Sequence, residues 1–144
     1  MIRTIVVGVD GTEGSHRALE WTAQRATELD ADVVAVFAMP ATSEFVMSIP
    51  PLPAEAVHGL RSHFETDWCK PLRDAGVRYR SYVIEQSPAH ALVHFAEREH
   101  ADLLVLGAHG HGSLTDRLLG SVSYTVSHEA PCPVVIIPAE PPAA

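Results

Sequence analysis

Five short runs rich in apolar and β-branched residues punctuate this chain, and between them apolar positions recur every third or fourth residue. The first run, Ile2 to Val9, stops at Asp10-Gly11, which predicts a buried strand ended by turn chemistry. Thr12 or Ser15 is placed to cap a helix whose apolar face carries Leu19, Ala23, Ala26 and, slightly off the stripe, Leu29. Arg17, Glu20, Gln24 and Glu28 mark its wet side, and Asp30-Ala31-Asp32 ends it. Val33 to Ala38 is the second run, closed by Met39-Pro40 because proline has no N–H for a ladder. From Pro40 to Pro53 there are four prolines and no period, the composition of a long functional loop. A long helix is predicted from about Ala54, with Val57, Leu60, Phe64, Trp68 and Leu72 on one face and a kink or early end at Pro71. Val77 to Ile84 carries apolar residues on both alternating faces, which suits an edge strand. Ser87-Pro88 starts the next helix, with Leu92, Phe95 and Ala96 buried. Leu103 to Leu106 is the fourth strand and runs into Gly107; a helix from about Ser121 to Glu129 and a strand from Val134 to Ile137 complete the pattern.

Strands alternating with helices in this way predict an α/β fold, a parallel sheet covered by helices on both faces and joined by right-handed crossovers. The 144 residues suit one domain, expected over 1–138, with a frayed proline- and alanine-rich tail over 139–144. Hydrophobic residues at 47% and charged ones at 19% place the chain among ordinary globular proteins. Cys69 and Cys132 match no zinc or C-x-x-C spacing and are read as reduced structural thiols. No signal-peptide pattern or membrane-length apolar stretch is visible, so the expected location is the cytoplasm, with no membrane partner. A formal net charge of −8 would repel a phosphate backbone, which argues against a nucleic-acid partner. It does not argue against a nucleotide, because the N–H groups at a helix start hold phosphate with few cationic side chains.

In open parallel sheets ligands bind beyond the carboxyl ends of the strands, where the strand order reverses. Two predicted strand ends carry glycine, Gly8-Val9-Asp10-Gly11 and Leu106-Gly107-Ala108-His109-Gly110-His111-Gly112. From Gly107 the spacing continues as G-x2-G-x9-G-S through Gly110 to Gly120 and Ser121, at the start of the last helix. Exposed N–H groups, a hydroxyl and a helix dipole together make an anion site. The pattern is neither a Walker A loop nor a dinucleotide fingerprint.

This spacing resembles the universal stress protein family, whose ATP-binding members carry G-x2-G-x9-G followed by serine or threonine. Val6-Val7-Gly8-Val9-Asp10-Gly11-Thr12 and the segments Leu118 to Ser123 and His128 to Val134 are also similar to that family. The resemblance implies a Rossmann-like (adenine nucleotide alpha hydrolase-like) open five-stranded sheet of order 3-2-1-4-5. It also implies a homodimer pairing through Val134 to Ile137 and binding of ATP (or ADP or AMP) with Mg²⁺ beside the phosphates. Carried over by position, Gly8, Val9, Asp10 and Gly11 would lie at the nucleoside, with the backbone at Ala38 meeting adenine. Gly107 would lie near the ribose, Gly110, Gly120, Ser121 and Val122 would hold the phosphates, and Leu106, His109, Gly112 and Ser123 would complete the nucleotide-binding set. His109 and His111 depart from the pattern, since arginine is common at the second of these positions in relatives.

Other readings of the same residues stay open. Asp10 also suits a capping role for the first helix. His90 with His94, and His109 with His111, have metal-like spacing but no third ligand, so no metal-binding residue is assigned. Trp21 and Trp68 read as packing or interface residues. The function expected is a nucleotide-dependent regulatory or stress-response module with at most slow hydrolysis. Its alternatives are a weak ATPase or nucleotidyl-transfer enzyme, and a dimeric interaction module that binds no nucleotide.

Overall fold

The computed structural model describes residues 1–39, 54–108 and 120–138, the side chain of Val57 excepted. The expected loop from Pro40 to Pro53, the glycine-rich segment over 109–119 and the tail over 139–144 lie outside the described residues. Five strands, β1 (Thr4–Val9), β2 (Asp32–Met39), β3 (Tyr79–Glu85), β4 (Leu103–Gly107) and β5 (Val134–Ile137), form one parallel sheet of order β3-β2-β1-β4-β5. Thus β1 and β4 are neighbours at the point where the winding reverses, and β3 and β5 are the edges.

Alternation along the strands divides the core into two layers, which is why the middle of β1, β2 and β4 is apolar at successive positions. Ile5, Val7, Val9, Val33, Ala35, Phe37 and Val105 face one side. They pack against α1 (Glu13–Leu29) and the chain segment that follows α2 (Ala54–His63). Val6, Val34, Val36, Leu104 and Leu106 face the other side, against α4 (Pro88–Arg98) and α5 (Ser121–Glu129). At the far end of the sheet Asp102 accepts the N–H groups of Arg3 (2.8 Å) and Thr4 (3.1 Å) and so fixes where β1 begins. Arg78, just before β3, bridges Asp30 and Asp32 there.

The helix expected to run from Ala54 to Pro71 changes earlier than the proline. After α2 the chain widens into a π-helical turn, Phe64–Trp68, closed by the Cys69 N–H donating five residues back to the Phe64 carbonyl at 3.1 Å. It then restarts as α3 (Lys70–Asp74) with Pro71 in the first turn, where a missing N–H costs nothing. The guanidinium of Arg73 donates to the carbonyls of Glu65 and Thr66, supplying partners that the broken ladder lacks. The wide turn keeps Phe64 and Trp68 on one side, both against Phe37 of β2, with ring centroids 5.7 and 5.0 Å away. Cys69, fully buried behind them, has its thiol pushed up to about 11 by burial, and it is a free, inert thiol. No helix among the described residues is long and apolar enough to cross a membrane.

Two stability predictions follow from these details. Thr22 of α1 is fully buried, and its hydroxyl has no hydrogen-bond partner among the described residues. Thr22→Val is expected to raise the unfolding free energy by about 1 kcal/mol in urea titrations, and a loss would show that the hydroxyl is satisfied after all. The two backbone donors hold the Asp102 carboxyl below the usual carboxylate value. Its stabilisation is therefore complete above the unfolded pKa of about 4 and is lost as pH falls through the lower folded value. Asp102→Asn is expected to have a lower urea midpoint at pH 7, with the gap to the wild type closing below about pH 4.

Candidate functional site

The carboxyl ends of β1 and β4 lie side by side, and each passes into a helix on a different side of the sheet. Beyond β1 the chain turns through Asp10 and Gly11 into α1. Thr12 is the N-cap, its hydroxyl accepting the Ser15 N–H at 3.2 Å. Asp10 in turn accepts the Thr12 N–H (2.9 Å) and the Thr12 hydroxyl, while its own N–H is donated to Ser15 Oγ at 3.3 Å. Asp10 therefore orients the cap without being the cap. Its carboxylate is built into the loop.

Beyond β4 the structure supplies the landing point of the chain. Gly120 is the N-cap of α5 in extended conformation, with no capping side chain, and its N–H donates to the Ala108 carbonyl at 3.0 Å. Ser121, expected to open the helix, is its exposed first residue, and Val122 packs at the rim of the second layer. Ser123 is buried, and its hydroxyl lies 3.1 Å from both the Gly107 and Ala108 carbonyls. These bonds pin the first turn of α5 to the end of β4. Among the described residues no side chain caps the amides of Ser121, Val122 and Ser123 that open the helix, an arrangement complementary to an anion.

Three of the glycines have close neighbours of their own. A Cβ on Gly8 would lie 3.0 Å from Leu92 of α4, and one on Gly107 would lie 2.9 Å from the backbone of Gly14. Gly11, at φ +80°, faces the Trp68 indole, which sits where a side chain would be. Val9 and Leu106 are core residues, and Ala38 stands beside Ile84 in register at the end of β2. His109, Gly110 and Gly112 lie outside the described residues. Sequence reasoning missed Gly14 and the reach of Trp68 to Gly11; for Trp68 the available signal was its four-residue spacing from Phe64 on an apolar face. On the α1 side, Gly11, Thr12, Ser15, His16, Leu19 and Trp68 border an open recess of about 210 Å³. His90 and His94 are exposed on α4, and no group of three or more metal-ligating side chains occurs among the described residues.

A model of the universal stress protein family matches residues 1–138. The chain belongs to the universal stress protein family. Among curated relatives, universal stress protein Rv1636 of Mycobacterium tuberculosis is 35% identical, covering 94% of this chain and 95% of its own. Universal stress protein MJ0531 of Methanocaldococcus jannaschii is 33% identical, over 95% of this chain and 82% of its own. A solved universal stress protein in complex with cAMP is 29% identical, with a TM-score of 0.69 over 94% of this chain and 96% of that one.

The contact at Gly107 yields a prediction that separates packing from ligand binding. Backbone atoms cannot swing aside as a side-chain tip can, so Gly107→Ala is expected to destabilise the nucleotide-free protein by about 2 kcal/mol in chemical denaturation. Unchanged stability would leave Gly107 with a ligand role alone.

Proposed function

We propose that this universal stress protein binds an adenine nucleotide, ATP in the first place, across the carboxyl ends of β1 and β4, and acts as a nucleotide-dependent regulatory module. The observation that carries the reading is the N-terminus of α5, which no side chain among the described residues caps and which is held against β4 at the reversal point of the sheet. In this reading Gly110, Gly120, Ser121 and Val122 hold the phosphates, the Gly120 N–H staying on the Ala108 carbonyl while the amides of Ser121 and Val122 face the anion; Asp10 meets the nucleoside, the backbone at Ala38 meets adenine and Gly107 lies near the ribose. Mg²⁺ accompanies the phosphates and shares their charge. A relative of 29% identity in complex with cAMP supports an adenylate ligand and makes the cyclic nucleotide an arm of the test.

Hydrolysis is slow at most. Lys70, the one lysine in the sequence, is ion-paired to Asp74 on α3 and belongs to no phosphate-binding motif. The module works as a cytoplasmic homodimer through β5, an edge strand whose four residues are all only half-buried.

Calorimetry with ATP, ADP, AMP and cAMP, with and without Mg²⁺, tests the reading; saturable heat is expected with at least ATP and Mg²⁺. Ser121→Asp places a carboxylate among the proposed phosphate ligands while suiting the helix dipole. It is expected to weaken ATP binding by about tenfold or more without lowering the melting temperature. No heat from any of the four nucleotides overturns the proposal.

A further inference from the structure

The geometry points to Trp68 as the positioning residue that holds the Asp10–Thr12 loop in shape for its ligand, by seating its indole on Gly11 from the α1 side of the sheet. A Cβ at Gly11 would fall 2.4 Å from Cζ2, 2.8 Å from Cη2 and 2.9 Å from Cε2 of that ring. The indole therefore occupies the space that any other residue at position 11 would claim. The loop cannot relax toward α1 unless the ring moves.

The ring itself is fixed. It stands edge-on to Phe37 at 5.0 Å and to Phe64 at 6.4 Å, and it ends the π-helical turn that the Arg73 guanidinium braces. α5 and Ser123 belong to the opposite layer. The loop is thus backed by Trp68 on one side and presents Asp10 at the strand ends, where α5 begins. Pre-positioning of this kind raises affinity by removing the ordering cost that a loose loop would impose on binding.

The identity of the ligand rests on the nucleotide reading above; the hold of Trp68 on the loop does not. Trp68→Phe keeps a ring for Phe37 and Phe64 but removes the indole edge that meets Gly11. In the nucleotide-free protein, amide exchange at Thr12, whose N–H is bonded to Asp10, is expected to quicken about tenfold relative to Val36 of β2, which reports global opening. Equal relative exchange overturns the hold on the loop, whatever the protein binds. In calorimetry with ATP and Mg²⁺ the variant is expected to bind about tenfold more weakly than the wild type. Equal affinity overturns the positioning role and leaves the nucleotide reading standing. No heat from the wild type overturns the nucleotide reading, and the exchange comparison still decides whether Trp68 holds the loop. Trp68→Met carries the same comparisons where Trp68→Phe does not fold.

Discussion

Gly14 and Gly107 meet backbone to backbone, and the arrangement of the whole functional end of the sheet depends on that approach. A Cβ at Gly107 would come within 3.0 Å of the Gly14 carbonyl oxygen as well as its carbon, so no larger residue fits at position 107 without moving α1. With α1 seated this low over β4, its first turn stands beside the end of β4, and Arg17 reaches the Pro138 carbonyl beyond β5 at 3.0 Å. The Asp10–Thr12 loop, which feeds α1, is thereby set next to the point where β4 leaves the sheet. Both strand ends of the reversal point are located by one steric fact.

For an acidic chain to bind an anion, as proposed, the local field must oppose the overall one. Several cationic side chains do not serve that end: Arg78 bridges Asp30 and Asp32 at the start of the sheet, Arg80 pairs with Glu99, and Arg73 braces the π-helical turn. Among the described residues at the proposed site, the favourable potential comes from main-chain dipoles at the start of α5, which carry no net charge. An anion site built this way tolerates a net charge of −8 because amides act at contact range, whereas dispersed surface charges are screened within about 10 Å at ordinary ionic strength.

Much of the fold was legible because its central strands are buried on both faces. Such strands read as uninterrupted apolar runs, and the structure has Val134–Ile137 as β5 and Ser121–Glu129 as α5, with the same limits the pattern predicts. The strand order was available only through the family resemblance, since nothing in a run of valines says which neighbour it takes. The helix after Ala54 was misread at its end. Apolar residues at positions 60, 64, 68 and 72 fit a continuous helix, yet the structure inserts a wider turn before Pro71. There Phe64 and Trp68 pack on Phe37, on a strand distant in sequence, and Arg73 takes up the freed carbonyls. Local periodicity carries neither contact.

The same limit governs how a glycine is read. Gly8, Gly11 and Gly107 stand out in the sequence as places where a ligand could approach the backbone, and in the structure each is approached, by Leu92, by Trp68 and by Gly14. A missing side chain shows that something comes close. It does not say whether that is ligand or protein. What distinguishes the start of α5 is the converse observation: amides at a helix terminus that no side chain among the described residues caps. Backbone donors left in that state need a partner from outside the helix, and a strand reversal point with an acidic loop fixed beside it offers a place for one. Nucleotide binding is therefore argued more strongly from Gly120 to Ser123 than from the glycines that first drew attention to the two strand ends.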